Sequence, residues 1–357
     1  MTHAMQSTLL VVIGLLFFAM PGLARGREII IPTTPPTDQK DTLQCWAVSA
    51  VARFDAIASH VKGSFVKLSP KFTVYTKTRA EVIRMILSRS AKKYQGSICE
   101  GCADESIYYE QGGIFPDAVE AAKIYGVLPY EQYPGFPQDD QKMFRALNTV
   151  IASYAEHPES YQRSGDELQA EVTARVERVL ASFLGGKPPE SFVFEGTTYN
   201  PGTFFTAVLP GYDHAGGREL NFDKTAPQKP APTHPEAFNG KAYEAFSTSD
   251  HDLLLKVLKK SLLRGEPVLI QYIVIDEEKT QARGYIGFKK NHQKPKPPEK
   301  NALVHYVLAV GAHFNEDGSF AEIYVKNTWD TKPGPVWGYH WMQPDYFYLI
   351  SAVELTD

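Results

Sequence analysis

The sequence predicts an α+β fold with two lobes, because helical and strand patterns occupy different parts of the chain. Apolar residues recur at helical spacing after Thr42, whereas short alternating or apolar runs bounded by turn residues begin after Gly265. The 357 residues, of which 43% are apolar, can form two domains of ordinary size and bury a substantial core. Helices followed by a sheet indicate the α+β class.

The first 24 residues are expected to be a cleaved export signal. The apolar run 9–20 is too short to span a membrane but is within the range of a signal-peptide core. Pro21 ends any helix there, and Gly22 and Ala24 suit cleavage after Ala24. An uncleaved anchor and a buried core segment are the alternatives. We therefore expect an exported protein, periplasmic or secreted, with no stable membrane span after cleavage.

The region between this signal and Gly265 is predicted to be mainly helical. Ala47, Val48, Val51 and Phe54 have helical spacing, which places Cys45 at a helix N-terminus. Further helices are predicted over 69–88, 116–125, 250–263 and, as a pair, within 138–184. Gly, Pro, Asn and Asp recur over 199–246, which is interpreted as a long irregular segment that wraps a surface or forms a lid.

The C-terminal third is predicted to form an antiparallel sheet. Its strand patterns cover 268–275, 303–311, 320–327, 336–341 and 347–354. The Lys- and Pro-rich stretch 289–300 between two of them is expected to be a solvated loop.

Charge and cysteine content exclude several classes of partner. Lys and Arg number 37 against 41 Asp and Glu, with no basic tract, so nucleic acid is not an expected partner. Cys99 and Cys102 form a C-x-x-C pair, which in an oxidising compartment favours a local disulfide. No second cysteine pair completes a zinc site, and a redox role is the remaining alternative. We expect no metal and no cofactor.

Cys45 is the candidate nucleophile. A helix N-terminus and a nearby imidazolium stabilise a thiolate, the reactive form of the thiol. By itself, Cys45 would more often be a small buried apolar residue. Gln39, six residues earlier, changes this interpretation, since its amide can share an oxyanion hole with the Cys45 backbone N–H.

Segment 39–47, Gln-Lys-Asp-Thr-Leu-Gln-Cys-Trp-Ala, resembles the nucleophile segment of papain-like cysteine peptidases. His305 on an apolar strand and the later Asn327-Thr328-Trp329 resemble the other half of that site. The resemblance implies that Cys45 is the nucleophile and His305 the base and acid. It also implies that Asn327 orients the imidazole, that Gln39 donates to the oxyanion and that Trp329 shields the Asn327–His305 hydrogen bond. Trp46 follows the nucleophile directly as a supporting residue.

The pair Gly112-Gly113 resembles the paired glycines along which such enzymes lay an extended substrate. Without a Cβ, a glycine lets a peptide backbone approach and pair as an added strand. A tight turn before a helix is the alternative interpretation of the same pair.

A long insertion separates the two halves of this site. Cys45 and His305 are 260 residues apart, whereas papain-type enzymes separate these groups by about 130–150. The excess is assigned to 138–250, where 184–194 resembles the helical insertion of bleomycin hydrolase and bacterial aminopeptidase C. The predicted order is a signal peptide (1–24), a helical lobe with the nucleophile (25–137), the helical and irregular insertion (138–250) and a β lobe with His305 and Asn327 (251–357).

The expected function is thiol-dependent hydrolysis of peptide bonds in a peptide or protein substrate. Bleomycin hydrolase-like enzymes place a C-terminal arm in their own cleft, and this sequence ends at Asp357 without one, so an endopeptidase is slightly preferred. The alternatives are an aminopeptidase of that type, a peptide-binding relative with little activity, and an acyl-transfer enzyme with the same triad. The sequence leaves the side-chain preference and the oligomeric state open.

Overall fold

The structure, a computed structural model, describes residues 27–40, 42–91, 112–135, 140–157, 164–212, 218–240, 242–275, 277–280, 284–288, 303–329 and 337–356. The predicted signal peptide, Cys99, Cys102 and the 289–300 loop lie outside these residues. Within them, no helix combines the length and apolarity that a membrane crossing needs.

The α+β prediction is confirmed, since most helices precede the main strands along the chain. The helices are α1 (Cys45–Lys62), α2 (Pro70–Ala91), α3 (Phe115–Tyr125), α4 (Asp140–Ala155), α5 (Gly165–Leu184), α6 (Pro201–Val208) and α7 (His251–Leu263). The strands are β1 (Glu28–Ile30), β2 (Phe192–Phe194), β3 (Thr197–Tyr199), β4 (Glu219–Phe222), β5 (Ala231–Thr233), β6 (Ala245–Thr248), β7 (Val268–Ile273), β8 (Glu277–Thr280), β9 (Tyr285–Phe288), β10 (Val304–Phe314), β11 (Phe320–Lys326), β12 (Tyr339–Met342) and β13 (Ile350–Glu354).

The large sheet has the strand order β5-β6-β4-β13-β7-β10-β11-β12-β9-β8, with β1 on β10. Most neighbours are antiparallel, as predicted, but β4–β6 and β9–β12 are parallel pairs. The prediction of an antiparallel lobe therefore needs correction to a mixed sheet. Parallel neighbours need a long connection. The connection from β4 to β6 contains β5, and the connection from β9 to β12 contains β10 and β11.

The segment 199–246 is more regular than its composition predicts. It contains α6 and the strands β4, β5 and β6, and β4 pairs with β13 at the end of the chain. Turns do interrupt this segment, but its strands have only three or four residues, at or below the shortest run in which an alternating pattern can be recognised. The segment therefore adds an edge to the main sheet.

Helix α1 is the central element of the helical lobe. Most of its residues are buried, and it ends where Gly63 adopts a left-handed conformation with φ of 67°. One apolar cluster joins α1 to α2–α6, and a second lies between α7 and the sheet. Ser49 of α1 donates a hydrogen bond to the Tyr306 carbonyl of β10 over 2.7 Å, so the helix that begins at Cys45 lies against the strand that carries His305.

Candidate active site

Cys45 is the first residue of α1 and is partly buried. Burial raises the pKa of its thiol, although backbone N–H groups of Tyr306, Trp46 and Cys45 itself act in the opposite direction. The helix N-terminus thus contributes as the sequence predicts, but it does not outweigh desolvation. Thiolate formation at this position therefore depends on a partner that takes the proton.

His305 lies on β10 directly before Tyr306, whose carbonyl accepts a hydrogen bond from Ser49 of the helix that Cys45 begins. Only 1% of the residue is exposed. The edge of the Tyr272 ring meets its imidazole, with ring centroids 5.5 Å apart and an interplanar angle of 89°. The chain therefore brings the residue with the imidazole next to the helix that carries the thiol.

The hydrogen bonds of Asn327 determine the tautomer of His305. Asn327 Oδ1 lies 2.9 Å from His305 Nε2 and 2.7 Å from the backbone nitrogen of Thr328. A backbone N–H can only donate, so the Asn327 atom is the amide oxygen, and His305 Nε2 must carry the hydrogen. Nδ1 is consequently the basic nitrogen of the ring. This orientation of Asn327 leaves its buried Nδ2 without a hydrogen-bond partner among the described residues.

Trp329 covers one face of His305. The two rings are stacked with centroids 3.9 Å apart and an angle of 4° between their planes. A tryptophan face attracts a cation, so this contact favours the imidazolium form and keeps water from that side of the ring. The structure therefore places Trp329 against the imidazole, where the resemblance predicts a shielding residue.

Gln39 is buried and held at both ends of its side-chain amide. Its Nε2 donates to the Thr42 carbonyl over 2.5 Å, and its Oε1 accepts from the Thr328 hydroxyl. The Gln39 backbone N–H donates to the Thr328 carbonyl over 3.0 Å. A side-chain amide nitrogen carries two hydrogens, so one remains for an oxyanion after the bond to Thr42.

The two glycines are required for different reasons. Gly112 has φ of 125°, a conformation that L-residues rarely adopt. A Cβ on Gly113 would lie 2.8 Å from the Trp46 indole, so this position is limited by packing. The backbone N–H and C=O of Gly113 make no hydrogen bond with the described residues. The pair is therefore both a structural requirement and a possible edge for an extended peptide.

Several supporting groups were not predicted from the sequence. Trp46 Nε1 donates to Gln44 Oε1 over 2.8 Å, and Gln44 Nε2 donates to the buried Asp140 over 3.1 Å. Lys77 Nζ donates to the Gly112 carbonyl over 2.9 Å. Lys77 and Asp140 lie on α2 and α4, far from Cys45 in sequence, and no local pattern identifies them.

Asp117 joins the glycine pair to the segment 199–246. Its carboxylate accepts hydrogen bonds from the backbone N–H groups of Ile114, over 3.1 Å, and Phe238, over 2.8 Å. Asp117 is the third residue of α3, a position where a carboxylate often accepts a hydrogen bond from the backbone at the start of the helix. This position is the sequence signal that could have identified Asp117. No cluster of His, Cys, Asp and Glu in the described part of the chain could hold a metal ion.

No protein-family model and no curated protein sequence matches the chain. Structurally, the fold is papain-like. PepW from Lactobacillus rhamnosis HN001 has a TM-score of 0.72 and 17% identity, over 95% of this chain and 82% of that one. Xylellain, a cysteine protease from Xylella fastidiosa, has 17% identity and a TM-score of 0.44 over 94% of this chain and 87% of its own. The fold assignment is based on the similarity to PepW, and at 17% identity this similarity supports the fold and nothing about activity.

Proposed function

We propose that this protein is a papain-like cysteine peptidase in which Cys45 and His305 hydrolyse peptide bonds. The observation that carries the proposal is the hydrogen bond between His305 Nε2 and Asn327 Oδ1, since it fixes Nδ1 as the basic nitrogen. The pairing of Cys45 with His305 is supported by Ser49, on the helix that Cys45 begins, which donates a hydrogen bond to the carbonyl of Tyr306, the residue after His305.

The proposed reaction begins with transfer of the Cys45 proton to His305 Nδ1. The thiolate attacks the peptide carbonyl, and the oxyanion accepts hydrogen bonds from the Cys45 backbone N–H and the second hydrogen of Gln39 Nε2. The imidazolium returns the proton to the leaving amine as the C–N bond breaks. Water, deprotonated by the imidazole, then hydrolyses the thioester and releases the free thiol. Stacking on Trp329 supports the imidazolium that exists between these steps.

Endopeptidase activity is the preferred mode within this proposal. Gly113 offers its unpaired N–H and C=O to an extended peptide, which is a mode of binding that needs no free chain end. The resemblance of 184–194 supports a relationship to the bleomycin hydrolase branch, whose aminopeptidase mode is the second candidate. Export to the periplasm or the medium and a disulfide between Cys99 and Cys102 remain part of the proposal, supported by the sequence patterns alone.

Thiol labelling with mass mapping tests the mechanism. Iodoacetamide applied without reductant should modify Cys45 and abolish hydrolysis, and Cys45→Ala should be inactive. Ser182→Ala is the control, since it removes an exposed hydroxyl that donates to the Val179 carbonyl of its own helix, α5, and lies outside the proposed site. Full hydrolysis by protein alkylated at Cys45 would contradict the mechanism. Label on Cys99 or Cys102 would contradict only the disulfide.

A pair of peptides that differ only at the amino end tests the cleavage mode. The acetylated peptide and its unblocked twin should be cut internally at similar rates. If only the unblocked twin is cut, with one or two residues released from its amino end, the protein is an aminopeptidase and the endopeptidase proposal is wrong. Binding of both peptides without turnover would favour the peptide-binding alternative, for which the raised pKa of the Cys45 thiol is the supporting observation.

A further inference from the structure

Lys77 is a buried cation of helix α2 that the proposed reaction does not use. Only 4% of the residue is exposed, and lysine is almost never this deeply buried unless its ammonium is paired. Its Nζ lies 2.6 Å from the Glu81 carboxylate, one turn along the helix, and donates to the Gly112 carbonyl over 2.9 Å. Helix α2 therefore holds the first residue of the glycine pair through a charged donor.

The same ammonium lies over the Trp46 ring, 5.6 Å from its centroid. A tryptophan face attracts a cation at this distance. The second glycine, Gly113, meets this indole as well, since a Cβ there would lie 2.8 Å from two of the ring atoms. Lys77 and Gly113 thus both adjoin Trp46, the residue that directly follows Cys45.

The hydrogen bond from Lys77 sets the orientation of the peptide bond between Gly112 and Gly113. This bond is trans, since the described residues contain no cis peptide bond. In a planar trans peptide the C=O and the N–H point in opposite directions. Because Lys77 holds the Gly112 C=O, the Gly113 N–H points away from Lys77, and it makes no hydrogen bond with the described residues.

A peptide bond between two glycines needs such a support. Neither residue has a side chain to hold the plane, and glycine has more conformational freedom to lose than any other residue. Gly112 moreover has φ of 125°, where other residues are strained. The Asp117 carboxylate accepts from the Ile114 N–H over 3.1 Å, so Lys77 fixes the backbone before Gly113 and Asp117 fixes it after.

We propose that Lys77 is a positioning residue that orients the Gly113 N–H toward a bound peptide. The proposal rests on the proposed peptidase function, in which the substrate pairs with Gly113 as an added strand. In antiparallel pairing, one substrate residue exchanges two hydrogen bonds with the residue opposite. Without the bond from Lys77 the peptide plane rotates, and the N–H no longer meets the substrate carbonyl in a fixed direction. Lys77 therefore acts on substrate binding through Gly113.

The test measures single backbone hydrogen bonds of a bound peptide. The probe is a short acetylated peptide selected from a library for tight binding, with a set of analogues in each of which one backbone amide is replaced by an ester. The ester keeps the size of the amide and removes its N–H. Calorimetry in the Cys45→Ala background gives the dissociation constants, whether or not the protein hydrolyses peptides. Steady-state kinetics in the chain with Cys45 give KM and kcat.

The ester opposite Gly113 should weaken binding by about 2- to 10-fold, the effect of one hydrogen bond. Lys77→Met removes the donor and keeps the length of the side chain, so it should abolish this loss and keep the losses at other ester positions. Lys77→Arg retains the charge and the donors and should preserve every loss. The matched control is Lys71→Met, which removes another buried ammonium of the same helix, one that lies 4.0 Å from the centroid of the Tyr133 ring, and should also preserve every loss.

The kinetic expectation is that Lys77→Met raises KM and leaves kcat nearly unchanged, because pairing with Gly113 holds substrate and transition state alike. If Lys77→Met protein shows no cooperative thermal transition, Lys77→Gln takes its place with the same expectations, since its side chain is shorter than that of lysine.

A loss that disappears at one ester position, in the Lys77 variant alone, supports the assignment. Losses that stay unchanged, that change together at all positions, or that change in the same way in Lys71→Met overturn it, as does an effect on kcat alone. The position-specific result without turnover in the chain with Cys45 leaves Lys77 assigned and overturns the peptidase function. Turnover with unchanged losses does the reverse, and failure of every peptide to bind overturns both.

Discussion

The indole of Trp329 lies flat against the imidazole of His305, 3.9 Å away between ring centroids. Nearly parallel rings at this distance exclude water from one face of the histidine and place a π-surface against any charge on it. The adjacent Asn327 fixes the ring from its edge through Nε2. Two residues from the segment after β11 therefore hold the orientation of the imidazole and cover one of its faces.

Trp329→Ala should lower kcat/KM for peptide hydrolysis by roughly tenfold or more, because a buried cation–π contact is worth about 2 kcal/mol. Trp329→Phe keeps an aromatic face and should lose less. The measurement is steady-state kinetics with one fluorogenic peptide for all three proteins. Equal losses of kcat/KM in the two variants would mean that Trp329 acts through packing and not through its aromatic face.

Gln39→Ala should reduce kcat by about 10²–10³, the typical effect of removing one oxyanion-hole donor. Thr328→Val removes the hydroxyl that holds Gln39 Oε1 and keeps the shape of the side chain. Its loss should be smaller, since the bond to Thr42 still orients the amide. Unchanged kcat in folded Gln39→Ala protein would remove Gln39 from the proposed oxyanion hole.

Gly113→Ala should destabilise the protein by about 1–3 kcal/mol, the usual cost of overpacking, because its Cβ meets the Trp46 indole at 2.8 Å. Chemical denaturation gives the free energy of unfolding. Gly63→Ala serves as the comparison, since the space around that left-handed position is open and only backbone strain of about 1 kcal/mol applies. A smaller effect at Gly113 than at Gly63 would show that the indole moves aside.

The sequence predicted those parts of the site that local motifs encode. Cys45 begins a helix, and His305 and Asn327 lie on or just after strands, as their neighbours indicate. The contacts that hold the supporting Trp46 could not be predicted, because its partner Gln44 meets Asp140 across 96 residues of chain. The pKa direction of Cys45 was also missed, since the extent of desolvation depends on what packs around the thiol.

A buried charge cluster behind the site should make stability depend on pH. Asp55 accepts hydrogen bonds from the Thr34 hydroxyl and the Leu68 backbone N–H, and burial raises the pKa of this carboxyl to about 6. Asp55 therefore binds a proton more tightly in the native state than in the unfolded chain, where an aspartate has a pKa of about 3.9. This stabilisation is complete below about pH 4 and is lost as the pH rises through about 6. Melting temperatures across this range should fall for the native sequence and change less for Asp55→Asn.

Lys326 is the counter-charge of this cluster, and its Nζ donates to the Thr34 hydroxyl over 3.1 Å. Burial lowers the pKa of Lys326 to about 8, so its stabilising contribution is present above about pH 10.5 and is lost as the pH falls through 8. Near neutral pH both groups are charged, and removal of one leaves the other buried without its counter-charge. Lys326→Met and Asp55→Asn should therefore each cost about 3–5 kcal/mol. The double variant should cost less than the sum, and additive losses in a double-mutant cycle of unfolding free energies would show that the two charges do not interact.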